Sequence, residues 1–182
     1  ANPVDGVISM SNLCSEILQV QTPSVLNDDQ TYKVVGTDVA CNLGSTNVLN
    51  MMTSSNEFGT SIEAMVRAET SNLDTVPTVR KGNDEMHAIG LGAMGLHSFL
   101  AQNQIHYDSK EAVEFTSVYF MLLNYYTLVA SNKLAVEKGS SFKNFEKSAY
   151  ADGSYFDKYL THDYFAAVSS KVQELFKGIA VP

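Results

Sequence analysis

Cysteine and positive charge are both scarce in this chain of 182 residues. There are only two cysteines, Cys14 and Cys41, whereas small secreted scaffolds held together by disulfides carry more of them in a shorter chain. We therefore expect a reducing compartment. The start, Ala1-Asn2-Pro3, has the features of neither a signal peptide nor a transit peptide, so we predict a cytoplasmic protein.

The 12 Lys and Arg against 20 Asp and Glu give a net charge of −8, which argues against nucleic acid or an anionic membrane as the main partner.

Long hydrophobic runs are also missing. The most apolar stretch without a charge covers residues 115–132, and it includes several polar side chains. Because a membrane-spanning helix needs about 20 mostly apolar residues, this stretch predicts a buried helix of a soluble protein and no contact with a membrane. The apolar content of 45% is sufficient for a packed core and argues against a disordered chain.

The first 45 residues are β-prone and rich in turns. We predict a short strand at residues 7–10, a loop marked by Pro23 and Asn27-Asp28-Asp29, and one or two further strands within residues 34–41. So few strands do not close a sheet, and unpaired sheet edges are a liability. The chain is therefore predicted to be a piece of a larger barrel or sheet.

From about residue 45 onward the pattern becomes helical. We predict helices that begin near Ser55, Asp84, Asp108 and Tyr164. The second of them continues through the glycines of residues 90–95. The third is the clearest, since it reaches about Lys138 and Gly139 fits the position just after its end. The last one ends near Lys177 and is closed by Gly178.

The loop Ser11-Asn12-Leu13-Cys14-Ser15-Glu16-Ile17 carries the candidate chemistry. Asn12, Cys14 and Glu16 alternate, so in an extended segment their side chains project to one face. A carboxamide, a thiol and a carboxylate there could bind a substrate, provide a sulfur centre and move a proton. Spacing alone favours a plainer interpretation, in which the cysteine is buried, the glutamate is solvated and the asparagine belongs to a turn.

Three segments resemble one family in the right order. Asn12-Leu13-Cys14-Ser15-Glu16-Ile17 resembles the finger loop of the large, catalytic subunit of class I ribonucleotide reductases, and the wider stretch to Val20 is similar to subclass Ib. Cys41-Asn42-Leu43-Gly44-Ser45 resembles the next segment of that family. The run Ala88-Ile89-Gly90-Leu91-Gly92-Ala93-Met94-Gly95-Leu96 resembles a helix of the same subunit.

This resemblance implies a fold and a reaction. Residues 1–182 would be part of a catalytic domain that is a ten-stranded α/β barrel, with the finger loop and strands in residues 1–45 and mainly helices in residues 46–182. The reaction is the reduction of ribonucleoside diphosphates to deoxyribonucleoside diphosphates. Cys14 would become the thiyl radical, Glu16 the base for the 3′-hydroxyl, and Cys41 one half of a redox dithiol. Asn12 would hydrogen-bond the substrate, and the neighbouring Leu13 and Ser15 would complete the substrate-binding loop.

The chain departs from the family pattern in what it lacks. There is no third cysteine to complete the dithiol, so the isolated chain is expected to be inactive. The resemblance implies that the rest of the large subunit is required, together with a small subunit that carries a dimetal (Mn or Fe) tyrosyl-radical centre and a glutaredoxin-like or thioredoxin-like reductant. No cofactor is expected in this chain itself.

Two other interpretations remain. Gly90-Leu91-Gly92-Ala93-Met94-Gly95 fits the G-x-G-x-x-G pattern of NAD-binding oxidoreductases, but that site requires a strand directly before the glycines, and the polar residues 80–87 predict a helix start. A helical interaction module with an incidental buried cysteine is the other. The histidines show no ligand spacing for a metal, and Tyr119, Tyr125 and Tyr126 are predicted to pack in a helix.

Overall fold

The structure of this chain is a computed structural model that describes residues 8, 19–40, 42–70, 75–160, 163 and 165–181. Its strands are Val25–Leu26 (β1), Tyr32–Val34 (β2), Leu43–Asn47 (β3) and Gly90–Met94 (β4). Its α-helices are Val48–Thr53 (α1), Phe58–Glu69 (α2), Pro77–Met86 (α3), Leu96–Gln102 (α4), Lys110–Lys138 (α5), Asp157–Leu160 (α6) and Ser170–Leu175 (α7). Short 3-10 turns cover Ser55–Glu57, Phe145–Lys147 and Ser154–Phe156. The chain forms two compact units, of residues 1–42, 70–90 and 139–155, and of residues 43–69, 91–138 and 156–182.

The first unit is built on an antiparallel β-ribbon. Thr22 and Thr37 exchange both of their backbone hydrogen bonds, at 3.2 and 3.0 Å, and their hydroxyl oxygens lie 2.9 Å apart. Beyond this bridge β1 pairs with β2 to form a hairpin. Gly36 lies in the same ribbon, where a Cβ would overlap the carbonyl oxygen of Thr22 and lie 2.7 Å from the carbonyl carbon of Pro23. Because glycine has no Cβ, the two strands of the ribbon approach each other more closely there than any other residue type would allow.

Helix α3 packs against the second strand of this ribbon. The backbone N–H of Asp38 donates to the carbonyl of Thr78 at 3.0 Å, and the Thr78 hydroxyl donates to the Asp38 carboxylate at 2.6 Å. A Cβ at Gly82 would overlap the carbonyl oxygen of Asp38, so the helix presents its glycine at the point of contact. One turn of α3 thus fixes the position of Asp38 through both backbone and side chain.

The second unit has its core between α2 and α5. Their facing side chains are buried, and Phe58 lies edge-to-face on Tyr119 with ring centroids 5.7 Å apart. At the end of the chain Phe176 stacks on Phe115 at 5.2 Å. The core side chains of the two helices include Phe58, Ile62, Val66, Phe115, Val118, Tyr119 and Leu122. Each buried aromatic or aliphatic side chain contributes about 1.5–3 kcal/mol to folding.

Two of the predicted helices are confirmed. Helix α2 follows directly on the 3-10 turn that starts at Ser55, and it buries Phe58, Ile62 and Val66. Helix α5 ends at Lys138, and Gly139 follows with a φ of +67°. Its first turn is capped by the Ser109 hydroxyl, which accepts from the N–H of Ala112 at 3.2 Å, rather than by Asp108. None of the helices in the described part of the chain is long and apolar enough to cross a membrane.

The helix predicted through the glycines is wrong. Residues 90–94 form strand β4, because α3 already ends at Met86 with His87 in the left-handed conformation, at a φ of +51°. Gly95, at a φ of +77°, is the N-cap residue of α4, which begins at Leu96. Glycine is the poorest helix former after proline, and here its preference agrees with pairing to β3.

Other predicted boundaries shift as well. The predicted loop around Asn27 is the turn of a β1–β2 hairpin, and β3 is a strand that the sequence pattern did not indicate. The last helix is confined to Ser170–Leu175, with Gly178 at a φ of +92° after it. The strand predicted at residues 7–10 lies outside the described residues except for Ile8, which has no regular structure.

We expect Gly36→Ala to destabilise the chain by about 2–3 kcal/mol, because the new methyl group overlaps backbone atoms that cannot move without breaking the Thr22–Thr37 bridge. Urea unfolding followed by circular dichroism measures the effect. Gly92→Ala is the matched control, since its Cβ would meet the Ser45 hydroxyl oxygen at 3.4 Å and the Gly44 carbonyl oxygen at 3.8 Å, both ordinary van der Waals contacts. Equal stability of the two variants would contradict the close approach at Gly36.

Candidate active site

The residues predicted to carry the chemistry lie outside the part of the chain that the structure describes. These are Asn12, Leu13, Cys14, Ser15, Glu16 and Cys41. What the structure describes are their flanks, which begin at Gln19 after the first segment and include Ala40 and Asn42 on either side of the second. The site is therefore built from the contacts of these flanking residues.

The two flanks are hydrogen-bonded to each other. The side-chain amide of Gln19 donates to the carbonyl of Ala40 at 3.2 Å. Gln19 is three residues after Glu16 in the sequence, and Ala40 directly precedes Cys41. Val20 and Val39 are both buried beside this contact. Beyond the Thr22–Thr37 bridge, the two strands of the ribbon are thus still joined at Gln19 and Ala40.

Helix α3 and strand β4 hold the residue that follows Cys41. The carbonyl of Asn42 accepts from the N–H of Gly90 at 2.8 Å. Its side-chain amide donates to the Oδ1 of Asn83, in the last turn of α3, at 3.2 Å. Position 41 is therefore bracketed on both sides, by Gln19 at Ala40 and by Asn83 and Gly90 at Asn42. No sequence pattern pointed to Gln19 or Asn83, since Gln19 bonds a backbone group and Asn83 lies 41 residues from its partner.

Strand β3, which follows Asn42, runs parallel to β4. Asn42 contacts Gly90 at one end, and a Cβ at Gly95 would lie 3.6 Å from the Oδ1 of Asn47 at the other end, so the two strands advance together. Each strand leads into a helix, and these helices, α1 and α4, contact each other. The side chain of Asn47 caps α1 by accepting from the N–H of Asn50 at 3.2 Å. Two adjacent strand–helix pairs are the repeating element of α/β barrels.

A chain of hydroxyl groups fixes β3 to β4 and to α5. The buried Thr46 hydroxyl donates to the carbonyl of Gly92 at 3.1 Å and lies 2.9 Å from the phenol oxygen of Tyr119. Burial raises the pKa of the Tyr119 phenol, and the hydrogen bond with Thr46 opposes that rise. Tyr119 is therefore a neutral packing residue, as the sequence predicted for the tyrosines of this helix.

Glu69, the last residue of α2, has its carboxylate beside strand β3. Both of its carboxylate oxygens are shielded from solvent, and neither has a hydrogen-bond partner among the residues that the structure describes. Its carboxylate lies against Gly44, where a Cβ would overlap it. Burial raises the pKa of the Glu69 carboxyl above its ordinary value. Gly44 is thus the residue that leaves room for this side chain, three positions after Cys41.

The glycines of residues 90–95 do not form a dinucleotide site. Three residues without regular structure separate α3 from β4, so no strand runs into Gly90. Gly90 and Gly92 lie within β4 itself, and Gly92 faces Ser45 of the neighbouring strand. The phosphate-binding turn of a dinucleotide fold instead follows its strand. Within the described residues, no three His, Cys, Asp or Glu side chains are grouped so that they could hold a metal ion.

We expect Glu69→Gln to stabilise the chain at pH 7. The folded-state pKa of Glu69 is raised, so its burial costs stability above that pKa, and the cost disappears as the pH falls below the ordinary range of the carboxyl. The gain from the variant should therefore be present at pH 7 and vanish in acid. Unfolding midpoints in urea between pH 3.5 and 8, roughly the range that spans both limits, measure it. Glu57→Gln, at an exposed position, is the control, and a gain that is independent of pH would contradict the assignment.

Comparison with known proteins agrees with this geometry. Residues 1–179 match the family described as ribonucleotide reductase, barrel domain. The chain is 50% identical over 176 residues to a ribonucleoside-diphosphate reductase subunit alpha of Mycoplasma genitalium, which covers 93% of this chain and 24% of that protein. The subunit alpha of Mycoplasma pneumoniae is 48% identical over 181 residues, covering 96% of this chain and 25% of that protein.

The subunit alpha of Bacillus subtilis is 42% identical over 191 aligned residues, covering 100% of this chain and 26% of that protein. The chain thus spans about a quarter of the length of these relatives. The match to the family extends over nearly all of this chain, and the parallel strand–helix pairs of β3 and β4 agree with it. The chain belongs to the ribonucleotide reductase barrel-domain family, and its α/β fold is part of that barrel.

Proposed function

We propose that this chain supplies the radical-bearing loop and one redox cysteine to the catalytic subunit of a class Ib ribonucleoside-diphosphate reductase. The observation that carries the proposal is the hydrogen bond from Gln19 to Ala40, because it joins the flanks of the two cysteine segments. Cys14 is five residues from Gln19, so the chain can separate them by no more than about 18 Å. This bound is compatible with both cysteines reaching one substrate, as the proposal requires.

The proposed reaction uses this chain's residues in order. The Cys14 thiyl radical takes the 3′ hydrogen of a ribonucleoside diphosphate, which leaves a thiol at Cys14 and a carbon radical on the sugar. Glu16 accepts the proton of the 3′-hydroxyl, and Asn12 holds the substrate through its carboxamide. Leu13 and Ser15, which lie between these residues in the sequence, complete the substrate-binding loop. A positioned base of this kind contributes roughly 10²–10⁴ in rate.

Cys41 supplies one half of the reducing power. Loss of the 2′-hydroxyl as water requires two electrons, which Cys41 and a second cysteine outside this chain provide as they form a disulfide. The 3′ hydrogen then returns from Cys14, and the thiyl radical is regenerated. A glutaredoxin-like or thioredoxin-like protein would reduce the disulfide by thiol exchange.

The reaction needs partners that this chain does not contain. The rest of the large subunit would provide the second cysteine, and a small subunit with a dimetal (Mn or Fe) tyrosyl-radical centre would provide the oxidising equivalent for Cys14. We propose that these components meet in the cytoplasm. The bracketing of position 41 by α3 and β4 supports this arrangement, because a redox thiol that must meet both a substrate and a partner thiol benefits from a fixed backbone.

We expect Cys14→Ser and Cys41→Ser to fail at different steps in the complete enzyme. A serine at position 14 cannot form the thiyl radical, so the 3′ carbon–hydrogen bond stays intact. A serine at position 41 leaves that bond open to attack but stops deoxynucleotide formation. Tritium release from 3′-labelled substrate, measured beside product formation, separates the two. Tritium release by the Cys14→Ser enzyme would contradict the role of Cys14.

The same assay tests Glu16. Glu16→Gln should lower turnover by roughly 10²–10⁴-fold, because the amide cannot accept the 3′-hydroxyl proton. Glu174→Gln, at an exposed position in the last helix, is the control and should keep full activity. If the two variants behaved alike, Glu16 would not be the base.

Cys14 and Cys41 are predicted not to form a disulfide with each other. A cysteine that must form a thiyl radical has to be a free thiol when the oxidising equivalent arrives, so a native disulfide between them would block the reaction. Thiol counting and peptide mapping after purification without reductant measure the pairing, and two free thiols are expected. A fully formed bond that survives mild reductant would show that at least one assignment is wrong.

A further inference from the structure

Helix α3 contacts the segment that leads to Cys41 at successive points along its length. The ammonium group of Lys81 donates to the carbonyl of Val35 at 2.6 Å. Three residues further along the segment, Asp38 is bonded by Thr78 through both its backbone and its carboxylate. The segment before Cys41 therefore lies along the helix, and α3 determines its course.

The contact of α3 that lies nearest to Cys41 in the sequence is made by Asn83. The side-chain oxygen of Asn83 accepts from the side-chain amide of Asn42, the residue after Cys41, at 3.2 Å, and both side chains are half-buried. The Asn42 backbone is held separately, because its carbonyl accepts from the N–H of Gly90 at 2.8 Å. A substitution at Asn83 therefore removes the contact between the side chains and leaves the backbone contact in place.

The last turn of α3, which carries Asn83, is itself fixed. The backbone N–H of Lys143 donates to the carbonyl of Glu85 at 2.8 Å, and the Lys143 ammonium group lies 2.8 Å from the Glu85 carboxylate. The carbonyl of Asn83 accepts from the N–H of His87 at 2.9 Å, which closes the helix. Asn83 thus presents its side-chain acceptor from a rigid element, and a residue held in this way can keep its partner in one orientation.

We propose that Asn83 is a positioning residue that fixes the orientation of Asn42 and thereby sets the reactivity of the Cys41 thiol. This inference rests on the proposed function in taking Cys41 as one half of a redox dithiol. When two thiols form a disulfide, they give up two electrons and two protons, which here reduce the sugar as its 2′-hydroxyl leaves as water. Because a thiol with a restrained backbone loses less conformational freedom on forming this bond, the contact between Asn83 and Asn42 favours the disulfide.

The first experiment measures the Cys41 thiol in the whole chain and involves no catalysis. Asn83→Ala should raise the rate at which iodoacetamide alkylates Cys41 by roughly three- to tenfold, because the loss of one hydrogen bond increases the population of more accessible orientations by about that factor. Mass spectrometry of the peptides that contain Cys41 and Cys14 gives both rates, and the Cys14 rate should not change. An unchanged rate at Cys41, or an equal rise at both cysteines, would overturn the proposal.

A double-mutant cycle separates this hydrogen bond from a general loosening of the helix. Asn42→Ala and Asn83→Ala remove the two halves of one interaction, so the double variant should be alkylated no faster at Cys41 than either single variant. Asn103→Ala is the matched control, since it removes an amide hydrogen bond elsewhere, to the carbonyl of Phe99 at 2.9 Å, and it should leave Cys41 unchanged. Additive effects in the cycle, or an equal effect of the control, would refute the role of Asn83.

In the complete enzyme, the same substitution should act on the dithiol and not on substrate binding. Asn83→Ala should make the Cys41 disulfide up to about tenfold less stable in a thiol–disulfide buffer, which raises its reduction potential by up to about 30 mV. It should lower kcat and leave KM unchanged, since the residues proposed to bind the substrate belong to another segment. An unchanged potential, or a loss of activity that came only from a higher KM, would contradict the proposal. If Cys41→Ser still formed deoxynucleotides, the proposed function would fail while the alkylation result stood.

Discussion

The paired hydroxyls and backbones of Thr22 and Thr37 are the contact on which the rest of the first unit depends. They exchange two backbone hydrogen bonds, and each hydroxyl also accepts from the other residue's N–H, at 3.0 and 2.9 Å. Thr37 is almost completely buried. On one side of this bridge lies the hairpin, and on the other lie Gln19 and Ala40. A shift of one residue in the pairing would turn every side chain of the ribbon to the other face.

Glycine repeatedly sets how closely the elements approach. Gly36 allows the two strands of the ribbon to contact each other, Gly82 allows α3 to contact Asp38, and Gly44 leaves room for the Glu69 carboxylate. None of these three has a positive φ, so the absence of a side chain, and not backbone freedom, is what each position requires. At Gly36 and Gly82 the contacted atoms belong to the backbone, and such contacts have fewer ways to adjust than contacts between flexible side chains.

The sequence predicted the long helices well because their information is local. The apolar side chains of α2 and α5 repeat at helical spacing, and the glycine after Lys138 marks the end of α5 without reference to any other part of the chain. Strand β4 could not be found in the same way, because pairing with β3, more than 40 residues away, decides its conformation. For the site, the loop motif indicated the chemistry through its resemblance to a family. The bracketing contacts of Gln19 and Asn83 had no sequence pattern, since nothing in an amide side chain indicates which distant group it will bond.

The direction of the hydroxyl chain between α5 and the two parallel strands follows from simple counting. Thr46 has one hydroxyl proton, and it is directed to the carbonyl of Gly92, so the phenol of Tyr119 must be the donor to Thr46. Removing one hydroxyl therefore has a different energetic cost from removing the other. Without the phenol, the threonine keeps its acceptor and loses only an incoming bond. Without the threonine hydroxyl, the tyrosine keeps a buried O–H group with nowhere to direct its proton, which is the more costly loss. Sequence drift in this fold should accordingly tolerate phenylalanine in the long helix more readily than valine in the strand.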